Sequence, residues 1–170
     1  PLRMPRDGGG AAERLAHVLA RSRYAADLLT PAPESVAILG DAGGLTPRSR
    51  EALLATMTAA TGRKNEPDDA MTAARVVRRQ ELFRIVVADL CGLLDLSGVG
   101  AALTDLTSAT LHSALDIATR RVEADLGSPL GTRLLVVGMG CFGRGEMGFG
   151  SDADVMFVHR ADDGVAESAA

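Results

Sequence analysis

LLVVGMGCFGRGEMGFGSDADVMFVH, residues 134–159, is where this chain changes from helix to strand and turn. Residues 134–137 and 155–158 are short, unbroken apolar runs that read as buried strands. Between them lies a glycine-dense turn, and Ser151-Asp152-Ala153-Asp154 opens the second strand. Side chains on a strand alternate with period two, so Asp152 and Asp154 are expected on one face. Two carboxylates behind a turn rich in free backbone N–H groups are placed to hold a divalent cation beside a phosphate. That combination points to nucleotidyl transfer.

The same glycines allow a second reading. Gly138, Gly140 and Gly143 spell G-x-G-x-x-G after a strand, the fingerprint of a Rossmann-type dinucleotide-binding protein. That fold needs a crossover helix after the glycines and an acid at the far end of the next strand. Gly143, Gly145, Gly148 and Gly150 oppose such a helix, each interior glycine costing roughly 1 kcal/mol relative to alanine. The acids here open the second strand instead of closing it. In the nucleotidyl reading the glycine turn offers N–H groups to the triphosphate of a nucleotide. Asp152 and Asp154 then bind magnesium (Mg2+), a hard cation that prefers oxygen ligands and retains contacts to substrate phosphates. Ser151 is placed either to cap the turn or to contact a phosphate.

Upstream the period is helical. Leu15, Val18, Leu19 and Ala26 form a stripe that predicts a helix over residues 11–29, and a short helix is expected over 34–39, ending at Gly40. Thr46-Pro47 reads as an N-cap and first-turn pair for a helix reaching Thr61. Pro67 starts the clearest helix, residues 67–94, with Leu82, Ile85, Val86 and Leu90 on one side. Arg78, Arg79, Glu81 and Arg84 are expected on its solvated side, and Gly92 marks a kink or an early end. A last helix runs from Ser97 or Gly98 to the Gly127-Ser128-Pro129 break.

Composition narrows the class. Nearly half the residues are apolar but only 3% are aromatic and none is Trp, so Ala, Leu and Val must build the core, which favours packed helices. A net charge of -4 argues against nucleic acid as a partner. Cys91 and Cys141 belong to no C-x-x-C pair, and no apolar stretch reaches membrane-spanning length. PLRMPRDGGG, residues 1–10, has no apolar centre and reads as disordered. The expected setting is cytoplasmic.

Gly138 through Asp154, spelled G-M-G-x-x-G-x-x-E-x-x-x-x-S-D-x-D, resembles the nucleotidyltransferase signature of glutamine synthetase adenylyltransferases. SRYAADLLTPAPES at 22–35 and RRQELFRIVVADLCGLLDL at 78–96 resemble the helical region before a catalytic domain of that family. The spelling is most similar to the second, adenylylating half of an actinobacterial-type enzyme. The resemblance implies a mainly α chain followed by the start of an α/β nucleotidyltransferase (DNA polymerase β-like) domain, truncated. Residues 11–127 would be the helical region and 128–170 the partial nucleotidyltransferase domain. It implies phosphate contacts at Gly138, Gly140 and Gly143, a signature acid at Glu146, and metal ligation by Asp152 and Asp154. It implies transfer of AMP from ATP to a tyrosine of glutamine synthetase, or the reverse phosphorolysis in the deadenylylating half, with a PII-type signal protein as a further partner. Cys141, Phe142 and Arg144 depart from the family's usual spelling. The third carboxylate that this fold uses on a later strand has no clear counterpart, since Asp162 and Asp163 lie just past the second strand. The 170-residue piece alone is therefore expected to be inactive.

Overall fold

The computed structural model describes residues 8–40 and 43–162. Of the opening stretch expected to be disordered, residues 1–7 lie outside the described residues, while Gly8–Gly10 already belong to the first helix. The single helix expected over 11–29 is two: α1 (Gly8–Arg21) and α2 (Arg23–Leu29). Ser22 separates them because its backbone is extended and its Oγ accepts from the Ala25 N–H at 3.1 Å, capping α2. Pro33–Gly40 forms a 3₁₀ helix, and Gly43–Leu45 a second short one.

Helix α3 (Arg50–Thr61) starts after Ser49, not at Thr46. The Ser49 Oγ accepts from the Ala52 N–H at 3.3 Å, and the Arg48 N–H is taken by Glu81 Oε1 at 2.8 Å, which holds residue 48 outside the helix. Helix α4 (Pro67–Leu90) has proline in its first turn and stops short of residue 94; Gly92, at φ +70°, turns the chain away. Asp95 rather than Ser97 caps α5 (Leu96–Leu126), its Oδ1 accepting from the Gly98 N–H at 2.7 Å, and Gly127 ends that helix in the left-handed region.

Helix α4 is the wall between two apolar cores. Phe83, Val86 and Val87 join Val18, Ala25, Leu28 and Leu39 from α1, α2 and the 3₁₀ helix. Val77 and Ile85 join Leu53 and Met57 of α3 and Val99, Leu103 and Leu106 of α5. Because α4 is covered on both sides, its middle is buried all round, including Glu81 and Arg84, which the sequence places in solvent. Their burial is possible because the charges meet: Arg84 Nε donates to Glu81 Oε2 at 3.0 Å and Arg48 to the same oxygen at 3.3 Å.

After Gly127 the chain forms β1 (Thr132–Gly138), the five-residue helix α6 (Gly140–Arg144) and β2 (Val155–Ala161). The strands pair antiparallel, from Thr132 opposite Ala161 to Gly138 opposite Val155. They are not the buried strands expected: Leu135 is 60% exposed and Phe157 62%. A two-stranded sheet has apolar faces that one bundle cannot cover. The chain is thus mostly helical with a small antiparallel sheet at its C-terminal end. Among the described residues no helix is long and apolar enough to cross a membrane.

Candidate functional site

The turn between the strands is built on contacts that exclude side chains. A Cβ at Gly143 would stand 2.6 Å from the Gly138 carbonyl oxygen, and one at Gly138 would stand 2.8 Å from the Phe142 ring. Gly140 has φ +54°, and a Cβ there would lie 2.5 Å from Asp154 Oδ2. The three glycines of the signature therefore let β1, α6 and the acidic segment close on one another. Two backbone bonds fix the closure: the Met139 N–H donates to the Asp154 carbonyl at 2.8 Å, and the Gly143 N–H to the Met139 carbonyl at 2.7 Å. At the start of α6 the first N–H groups have no intrahelical acceptor.

Asp152 and Asp154 do not open β2, which begins at Val155; they lie in the segment just before it. Ala153 packs against the second core, while both acids are exposed. Ser151 is engaged in the turn: its Oγ accepts from the Gly148 N–H at 2.8 Å and its own N–H donates to the Gly148 carbonyl at 3.1 Å. Glu146 pairs with Arg144 at 2.8 Å on an open surface, and that hydrogen bond holds the arginine above its ordinary pKa. Asp162 pairs with Arg133 at 3.2 Å, at the opposite end of the ladder from Asp154, about 26 Å away along an extended chain. Asp163 lies outside the described residues. No group of three or more His, Cys, Asp or Glu suited to a metal occurs among the described residues.

Three residues that position the turn were given no such role from the sequence. Phe142 and Met147 are buried in the second core, each stabilising the docked turn by roughly 1.5–3 kcal/mol. Gly100 of α5 is the floor beneath them, since a Cβ there would meet the Gly145 oxygen at 3.3 Å and the Glu146 Cα at 3.4 Å. The available signal was two large apolar residues inside a glycine-rich stretch, where solvent-facing turns carry polar ones. A cleft of about 710 Å³ runs between α5 and β1; Gly138 and Gly143 line it, but neither Asp152 nor Asp154 does.

Antiparallel strands joined by a five-residue helix exclude the dinucleotide-binding alternative, which requires parallel strands and a full crossover helix. A family model, glutamate-ammonia ligase adenylyltransferase, matches residues 12–170. The chain belongs to that family. Among curated relatives, it is 49% identical to the bifunctional glutamine synthetase adenylyltransferase/adenylyl-removing enzyme of Streptomyces coelicolor, over 98% of this chain and 18% of that protein. Proteins of the same name from Cutibacterium acnes and Mycolicibacterium smegmatis are 46% and 43% identical, over 99% and 97% of this chain and 16% and 17% of their own lengths. The chain spans less than a fifth of the adenylyltransferase relatives it matches. No solved structure matches it.

Proposed function

We propose that this chain is part of a cytoplasmic, bifunctional enzyme of nitrogen metabolism that regulates glutamine synthetase. In this reading residues 11–127 are a helical region and 128–170 begin the nucleotidyltransferase domain, of the DNA polymerase β type, that transfers AMP from ATP to a tyrosine of glutamine synthetase. The observation that carries it is the SD-x-D segment held against a close-packed glycine turn, in a chain of this family.

The residues fit a divalent cation. Asp152 and Asp154 are exposed, belong to no ion pair among the described residues, and offer the hard oxygen donors that Mg2+ takes. When bound, the ion supplies positive charge at the phosphates during displacement. The chain's own contribution is positional. The N–H groups left without an intrahelical acceptor at the start of α6, in the turn that Gly138, Gly140 and Gly143 allow to close, hold the triphosphate. Ser151 keeps the turn closed and Glu146 holds Arg144 in an ion pair beside it. The tyrosine oxygen attacks the α-phosphorus, its proton is lost, and pyrophosphate leaves. A PII-type signal protein is the proposed regulatory partner.

The relatives' name carries both addition and removal of AMP, so the test distinguishes them. In the full-length protein, Asp152→Ala should abolish transfer of labelled AMP from ATP to glutamine synthetase with the circular dichroism unchanged. Retained transfer sinks the assignment. Loss only of phosphate-dependent ADP release from adenylylated glutamine synthetase would place these residues in the removing half.

A further inference from the structure

The ring of Tyr24, on α2, meets the ring of Phe149 edge-on, with centroids 5.9 Å apart and planes at 61°. Phe149 is flanked by Gly148 and Gly150, in the turn closed by Ser151, the residue that directly precedes Asp152. The turn is short of other anchors: Gly148, Phe149, Gly150, Ser151 and Asp152 are all exposed, whereas Met147 before it and Ala153 after it are packed on the second core. Tyr24 is exposed on α2, the helix whose Ala25, Leu28 and Leu29 pack in the first core. Its phenol also lies near the half-buried Arg78 of α4, whose pKa burial lowers and Tyr24 opposes lowering.

We infer that Tyr24 is a positioning residue: its edge contact with Phe149 pins the 148–151 turn to the helical region and so sets the Asp152 carboxylate for a divalent cation. The cation part of this inference rests on the metal-binding reading of Asp152 and Asp154 above. Physically, a turn with two glycines has many conformers, and cation affinity falls by the fraction of them that is competent. An edge-to-face aromatic pair is strong enough to shift that fraction by about two- to tenfold. The contact also joins the two cores from outside, because Tyr24 extends from the first while Phe149 sits in a loop whose ends are held by the second.

The chain has one Tyr and no Trp, so tyrosine emission reports on this contact alone. In the 170-residue chain, Tyr24→Leu and Phe149→Leu should raise the mobility of the Gly150 to Asp152 amides in NMR relaxation while far-ultraviolet circular dichroism and the melting midpoint stay put. Tyr24→Phe, which keeps the ring, should behave as wild type. Manganese(II) should broaden the Asp152 and Asp154 amides, with an apparent affinity about two- to tenfold weaker in both leucine variants and restored in Tyr24→Phe. Acrylamide should quench Tyr24 more readily in Phe149→Leu. Unchanged amide mobility in both leucine variants would overturn the positioning role. Broadening absent from the wild-type chain would sink the metal reading and the cation coupling, while the mobility comparison would still decide whether Tyr24 pins the turn. A leucine variant with lost helicity would mean the contact supports the fold at large, which also overturns the inference.

Discussion

Replacing Glu81 by alanine is the severest single test of the helical region. The carboxylate is fully buried and accepts three hydrogen bonds: from the Arg48 N–H at 2.8 Å, from the Arg48 guanidinium at 3.3 Å and from Arg84 Nε at 3.0 Å. The Arg84 side chain is only 10% exposed, so it cannot recover its hydration when the partner goes. Arg48 is 37% exposed and can, so its guanidinium contributes little to the loss. Removing one partner of a buried ion pair costs about 3–5 kcal/mol, because a charge is left uncompensated. With a urea dependence of about 2 kcal/mol per molar, the midpoint should fall by about 1.5–2.5 M. The assay is urea unfolding followed by helical circular dichroism. A double replacement, Glu81→Leu with Arg84→Met, should recover most of the loss, since both charges leave together. A midpoint shift below about 0.5 M for Glu81→Ala, well under the few kcal/mol of a broken buried pair, would refute the argument.

Two further outcomes follow from local geometry. Gly143→Ala forces a Cβ against the Gly138 carbonyl oxygen and should lower stability by about 1–3 kcal/mol, read as an earlier urea midpoint with reduced amide protection along β1; an unchanged midpoint would show that the turn can open at no cost. Glu51, in the first turn of α3, is held below its ordinary pKa of 4.5 by its own backbone N–H and then by Ser49. Its folded value is the lower one, so its contribution is complete above pH 4.5 and is lost as the pH falls through the lowered value. Glu51→Gln should therefore flatten the decline in melting midpoint on the acid side of that pH, and parallel declines would count against it.

What the sequence shows well is what depends on near neighbours. The long helices, their glycine stops, the glycine turn and the paired acids all follow from spacing within a few residues. The helix starts are where this reasoning fails. Thr46-Pro47 has the composition of an N-cap, but Glu81, more than thirty residues away, takes the Arg48 N–H and leaves Ser49 to do the capping. Glu81 and Arg84 have the look of a surface pair three residues apart; only the sandwiching of α4 between two cores buries them. The strands err the other way. Their unbroken apolar runs imply cover on both faces, and the two-stranded ladder leaves Leu135 and Phe157 open. At the candidate site the sequence names the glycines and acids, but Phe142, Met147 and Gly100, which seat them on α5, become visible only when the turn is folded.

Phe142 and Met147 come from the segment after Gly127, yet they lie in the same core as α3, α4 and α5. Cutting the polypeptide at that glycine would divide the sequence at its change of period without dividing the fold. The shorter piece would carry off two side chains that the helices enclose, and the helices would keep an empty apolar socket. In native-state hydrogen exchange the glycine turn should open together with α5 rather than with the exposed ladder. The natural unit for dissecting this protein is the turn with its helices, whatever border the amino-acid pattern draws between them.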